Sequence, residues 1–229
     1  FPGRVDLGIG RAPGTDQVTA WALRSGAGGV EADAVDRFPD HVDHVLAMMS
    51  PAGAALRLGS GEHVLRATPR ATSVPMIWLL GSSDFSARLA ASRGLPYVFA
   101  HHFSGRGTAE ALALYREGYQ PSPEHPEPRT FLTVNVVVAP TQAQAQRLVQ
   151  PMVRTMVALR TGQPLMPQET VEEAEARGVM VAHQPLADEM ASRWVVGDPQ
   201  QAAARVRELA ATFDVDEVMV SPVAGSFAG

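Results

Sequence analysis

Residues 76–103 read MIWLLGSSDFSARLAASRGLPYVFAHHF, and this stretch decides the fold. Its opening apolar run is too short to span a membrane and is ended by Gly81, which predicts a buried strand. Ser82, Ser83 and Asp84 supply helix N-cap candidates, and FSARLAASR continues at helical spacing with Ala90 and Ala91 on a small-residue face. Gly94 closes that helix and Pro96 stops its continuation. A second buried run, YVFA, delivers His101 and His102 at its end. The stretch is therefore one βαβ unit, with hydroxyls at the C-terminal end of its first strand and imidazoles at that of its second. In parallel α/β folds that edge binds ligands.

Before this unit, Val5 to Ile9 predicts a strand, and Asp16 to Arg24 a helix capped by Thr15 or Asp16, with a turn at Pro13-Gly14 between them. Gly8, Gly10 and Gly14 give GxGxxxG, one residue longer than the dinucleotide-binding fingerprint. Pro13 also removes a backbone donor from that loop, so the nucleotide reading fails its context test. The glycine-rich stretch from Ser25 to Asp36 reads as a mobile loop. FPDHVDHVLAMM places Val42, Val45, Leu46 and Met49 on one helical face and His41 and His44 at the surface. No third ligand lies in register with them, and no metal site is expected. LRLGSGEHVLRATPR predicts a hairpin around Gly59-Ser60-Gly61 that covers the core.

After the unit, SGRGTAEALALYREGY predicts a helix with Ala111, Leu114 and Tyr115 inward. FLTVNVVVAPT is the strongest strand by β-branched content. Thr141 caps a helix running to Arg160 with a break at Pro151. Residues 161–194 read as an insertion over the active face, irregular except for an acidic helix at ETVEEAEARG, within a single domain spanning 1–229. Asp198-Pro199 starts the last helix and EVMVSP is the last strand. Five core strands alternating with helices specify a parallel α/β sheet, open if doubly wound and closed if three more strands complete a TIM-type (βα)8 barrel.

Composition narrows the function. The net charge is −5 and all 19 basic residues are arginine, without a basic cluster, so nucleic acid is not an expected partner. The absence of cysteine removes disulfides, thiolate metal sites and cysteine nucleophiles. No apolar run approaches a membrane span and no signal peptide precedes the first strand, giving the expectation of a cytoplasmic protein without membrane partners. There is no GxSxG elbow for a hydrolase.

The stretches PGRVDLGIGRAPGTD, VPMIWLLGSSDFSARLAASRGLPYVFAHHF, LYREGYQPS, TVNVVVAPT and VVGDPQQAAARVREL with DVDEVMVSP closely resemble the bacterial luciferase-like flavin-dependent monooxygenases, in particular their LGSS subgroup. The resemblance implies a (βα)8 barrel of which strands four to eight are visible, the family's N-terminal third having no counterpart here. It implies a homodimer that uses reduced FMN, supplied by a flavin reductase, and O2 to oxygenate a small organic substrate. A non-catalytic flavin-binding homologue or partner subunit and a deazaflavin-dependent oxidoreductase are the alternatives.

By the same resemblance Ser83 and Ser86, with Ser82 beside them, match the phosphate-binding positions. Arg11, following Gly10 at the end of the first strand, matches the phosphate-contacting arginine. Hydroxyls, a helix N-terminus and a guanidinium suit a phosphate because they combine free donors, a favourable dipole and a paired charge. Asp84 beside a dianion is expected to point away. His101 and His102 are the catalytic candidates. Successive residues on a strand face opposite sides, so only one of the two can face the interior, and the residues leave open which.

Overall fold

The computed structural model describes residues 1, 3–12, 15–25, 36–69, 73–103 and 105–225. The expected Pro13-Gly14 turn and nearly all of the glycine-rich stretch after Ser25 lie outside them. In chain order the elements are β1 (Asp6–Gly10), α1 (Gln17–Ser25), α2 (Phe38–Met49), β2 (Ala54–Leu58), β3 (Gly61–Leu65), β4 (Met76–Gly81), α3 (Asp84–Arg93), β5 (Tyr97–Phe99) and α4 (Thr108–Glu117). There follow β6 (Leu132–Val138), α5 (Gln142–Leu148), α6 (Gln150–Arg160), α7 (Val171–Arg177), α8 (Gln184–Ala191), β7 (Val195–Gly197), α9 (Pro199–Phe213) and β8 (Val218–Pro222).

Local chemistry sets most boundaries. Asp16 accepts the N–H groups of Val18 and Thr19 at the start of α1. Thr141 caps α5, and the helix breaks at Val149 with Pro151 in the first turn of α6. Asp198 and Gln201 form a reciprocal capping box on α9, with Pro199 at its first position. Gly94 ends α3 in the left-handed conformation, φ 60°. The bidentate pair of Arg93 with Asp43, at 3.0 and 2.7 Å, ties α3 to α2.

The strands form two three-stranded parallel sheets, β1-β4-β5 and β7-β6-β8, and a separate antiparallel β2-β3 hairpin. In the first sheet Leu7, Ile9, Ile77, Leu79, Tyr97 and Phe99 pack against α2 and α3 through Phe38, Val42, Ala87, Ala90 and Ala91. Strand alternation then turns Gly8, Gly10, Trp78, Leu80 and Val98 to the opposite face. In the second sheet Leu132 and Val134 pack on Ala202 and Leu209 of α9, so Thr133 and Asn135 face away from the helices.

The two sheets meet at β5 and β6. One backbone bond crosses there, from Tyr97 N–H to the Arg129 carbonyl at 3.0 Å. Side chains supply the remaining bonds. Thr133 donates to the Phe99 carbonyl at 3.1 Å, and Asn135 to the His102 carbonyl at 2.8 Å. From α4, the buried Tyr115 hydroxyl lies 3.0 Å from the Leu95 carbonyl and accepts the Arg129 N–H at 3.0 Å.

Four expectations are corrected. The parallel strands described number six rather than five, because Val195–Gly197 pairs with Val136–Val138; three residues that run straight into a helix cap carry too little pattern to be read. Leu112, not Leu114, is buried on α4 beside Ala111 and Tyr115. The β2-β3 hairpin leaves Leu56, Leu58, Val64 and Leu65 exposed instead of covering the core. Residues 161–194 are more ordered than expected: α7 falls on the acidic helix read at ETVEEAEARG, but a second helix, α8, follows it, and both pack on α6. Arg154 of α6 and Arg177 of α7 both pair with Glu169, and Arg154 also donates to the Gly178 carbonyl.

Glycine is required at 94 for two reasons, its positive φ and the Gln120 carbonyl that would lie 2.5 Å from an added Cβ. Gly162 shares the positive φ, 68°, but faces open space. Gly94→Ala is therefore expected to lower stability by about 3 kcal/mol or more and Gly162→Ala by about 1 kcal/mol. Chemical denaturation of the two variants measures the difference, and equal losses would refute the steric part of the argument.

Candidate functional site

Parallel pairing of β1 with β4 sets Gly10 beside Leu80, so the chain leaving β1 emerges next to the start of α3. Arg11 is the first residue out, and its guanidinium lies over the Phe85 ring, 4.0 Å from the centroid. Phe85 belongs to the first turn of α3. Ser83 is the N-cap in extended conformation, yet its hydroxyl makes no capping bond. The side chain best placed to satisfy the first-turn donors thus leaves them open. Ser82 and Ser83 are exposed, whereas Ser86 is buried, 3% exposed. Its Oγ sits where a side chain at 81 would be, 2.6 Å from an ideal Cβ on Gly81. Glycine at 81 is what lets the strand end this close to the helix.

The fold therefore brings Arg11, Ser82, Ser83, Phe85 and Ser86 to one helix N-terminus, with Gly10 at the adjoining strand end. A cation and a positive helix end at one spot favour an anion. Asp84 is engaged at 3.3 Å by Arg88, one turn along the exposed side of α3.

The two histidines part company. His101 is 3% exposed, its ring edge-on to Phe213 of α9 at 5.2 Å and its Nδ1 2.8 Å from Thr108 Oγ1 of α4. It sits in the helix layer, away from the face of Thr133 and Asn135. Burial, partly offset by the Arg193 backbone beside it, pulls His101 down to about 4. His102 is half-buried, with Nδ1 2.7 Å from Thr133 Oγ1. It turns toward the face opposite the helices, and burial lowers its pKa as well.

Thr108, Thr133, Asn135 and Phe85 escaped the reading of the sequence. The one available signal was the pair of polar residues two apart, Thr133 and Asn135, on one face of an otherwise apolar strand. A cavity of about 640 Å³ lies elsewhere: Met48, Met49, Pro51, Val74 and Pro75 line it at the opposite end of β4 from Gly81. Among the described residues no group of three or more His, Cys, Asp or Glu side chains could hold a metal ion, and no helix is long and apolar enough to cross a membrane.

A family model described as luciferase-like monooxygenase matches residues 1–215. The uncharacterized protein YvbT of Bacillus subtilis is 37% identical over 222 residues, covering 96% of this chain and 62% of its own length. A luciferase-like monooxygenase of Escherichia coli K12 is 33% identical over 228 residues, again covering 96% and 62%. This chain thus spans about three fifths of the length of these relatives. The crystal structure of apo-MsnO8 matches with a TM-score of 0.77 and 30% identity over 99% of this chain and 64% of that one. Two structures share the fold at lower identity. One is the oxygenating constituent of 3,6-diketocamphane monooxygenase from the CAM plasmid of Pseudomonas putida, in complex with FMN, at 17% identity and TM-score 0.58 over 98% and 65% of the chains. The other is an F420-dependent secondary alcohol dehydrogenase in complex with an F420-acetone adduct, at 13% and 0.60 over 97% and 65%.

The burial of neutral His101 has a pH consequence. Its folded pKa of about 4 lies below the ordinary 6.5, so between these values the unfolded chain takes up a proton that the folded chain refuses. The contribution is whole above pH 6.5 and is lost as the pH falls toward 4, amounting to about 3 kcal/mol. In His101→Gln the acid-side loss of stability should shrink by roughly that amount. Denaturation curves from pH 7 to 4.5 measure it, and parallel losses in both proteins would exclude His101 as the source.

Proposed function

This chain belongs to the luciferase-like monooxygenase family, and from that premise we propose that it binds reduced FMN and uses O2 to oxygenate a small organic substrate. The observation that carries the reading is Arg11 laid over Phe85 at an α3 N-terminus whose cap hydroxyl makes no capping bond. These residues fit a flavin phosphate. Arg11 offers a charge-assisted donor, Ser82 and Ser83 offer exposed hydroxyls, and the first turn of α3 offers backbone N–H groups. Ser86, tucked against Gly81, holds the strand end and the helix start in fixed relation. Stacking on Phe85 limits the rotamers of Arg11, so less freedom is lost when an anion arrives.

Reduced FMN, when bound, supplies the electrons that activate O2 for transfer of an oxygen atom to the substrate. The part of this chain is to anchor the phosphate and to orient what lies at the C-terminal strand ends. The proposal includes delivery of reduced FMN by a separate reductase, a homodimeric enzyme, and α7 and α8 as a cover over the active face. The FMN complex of the diketocamphane enzyme supports the cofactor assignment, while the F420-dependent fold neighbour makes deazaflavin the competitor to test.

In the full-length protein Arg11→Ala or Ser83→Ala should weaken FMN binding about 30-fold, equivalent to roughly 2 kcal/mol for a charge-assisted bond. Fluorescence titration measures this, with F420 titrated in parallel. Unchanged FMN affinity in both variants would dismiss the phosphate assignment, and binding of F420 in place of FMN would replace the cofactor. Substrate-dependent oxygen uptake, coupled to NADH and a flavin reductase, tests the oxygenase reading itself.

A further inference from the structure

The bonds around His102 settle more than its position. The Thr133 hydroxyl lies 2.7 Å from His102 Nδ1 and 3.1 Å from the Phe99 carbonyl, and it carries a single proton. If that proton points at Nδ1, the Phe99 oxygen, which also accepts the His101 N–H at 2.8 Å, faces a lone pair of Thr133 Oγ1 at 3.1 Å, and Thr133 makes one bond where two are possible. If the proton goes to the Phe99 carbonyl, the hydroxyl oxygen accepts from Nδ1–H and both bonds form. Thr133 is buried, 2% exposed, so water offers it no alternative. The second arrangement wins. Asn135, two residues along the same face of β6, donates to the main-chain carbonyl of His102 at 2.8 Å. One strand therefore holds both the ring and the backbone of this residue.

We infer that Thr133 and Asn135 are positioning residues that hold the His102 imidazole with Nδ1 protonated and present Nε2 as a hydrogen-bond acceptor for an N–H or O–H group at the C-terminal strand edge. That this edge is the flavin face rests on the proposed function; the bonding pattern does not. His101 provides an internal comparison. Its Nδ1 meets Thr108 Oγ1, which in turn donates to the Gly105 carbonyl at 3.2 Å, while its Nε2 is buried, makes no well-aligned hydrogen bond, and has the Arg193 backbone near the ring. The same relay thus serves two rings, one sealed in the helix layer and one half-buried on the other side of the strand.

Nitrogen-15 NMR of the full-length protein reads the tautomer directly, the His102 signals being identified by their loss in His102→Gln. The expected wild-type spectrum shows a protonated Nδ1 and an unprotonated Nε2. Thr133→Ser should keep that pattern, and Thr133→Val should move the population toward the Nε2-protonated form. In Asn135→Ala the tautomer should persist while the Nδ1 proton exchanges with water about tenfold faster or more, the factor expected for loss of one bond of about 1.4 kcal/mol. A wild-type ring protonated at Nε2, or a Thr133→Val spectrum identical to wild type, overturns the inference. Where Thr133→Val does not fold, the wild-type and Thr133→Ser spectra decide. FMN titration of the same samples tests the functional reading separately, because the tautomer is read without the cofactor and FMN affinity depends on Arg11 and Ser83.

Discussion

Buried peptide groups must find partners, and in this protein the demand is sharpest where β5 meets β6. Among the described residues a single main-chain bond joins the two sheets there, Tyr97 N–H to the Arg129 carbonyl. The carbonyls of Leu95 and His102 are met by the side chains of Tyr115 and Asn135, while the Phe99 carbonyl accepts both Thr133 and the His101 N–H. Leaving one such group unpaired costs about 1–3 kcal/mol, comparable to a sizeable share of a domain's net stability. The sequence of β6 follows from this demand: Leu132 and Val134 fill the α9 side, while Thr133 and Asn135 serve the seam. The position of His102 follows too, since its ring and its carbonyl are both held by seam residues.

Much of the fold was legible because its signals are local. Gly81, the serine cluster and Gly94 bracket α3 within a few residues, and Asp16, Thr141 and Asp198 cap the helices that follow them. The split between α5 and α6 was equally visible, since proline in a first turn announces itself. The anion-binding end of α3 was half legible. Hydroxyls at a helix start can be read from the chain, but the arrival of Arg11 depends on the β1-β4 register, 65 residues and more away in sequence, and only the family resemblance pointed to it.

What could not be read was non-local or depended on facing. Strand alternation was expected to separate His101 and His102 without saying which went where, but β5 ends at Phe99 and both lie in the turn that follows it. Phe213 and Thr108 decided it by enclosing His101, and both belong to elements packed from other parts of the chain. The placement of α7 likewise draws on a carboxylate shared between distant partners. Glu169 joins Arg154 of α6 to Arg177 of α7, so α7, whose own Thr170–Glu173 capping box is local, is fixed on α6 by partners distant in sequence. The hairpin misled for the opposite reason: its turn chemistry was correct, but turn chemistry says nothing about what a hairpin rests on.

The Tyr115 hydroxyl has a bearing on how the molecule assembles. Each three-stranded sheet can build its own ladder from its own chain, but the peptide groups of Leu95 and Arg129 meet through a phenol carried by α4, the helix lying between β5 and β6 in sequence. The contact between the halves therefore draws on that helix as well as on the two strands. Among the described residues the junction has no repeating ladder, so its hold is concentrated in a few bonds, and a helix outside both sheets supplies one set of them.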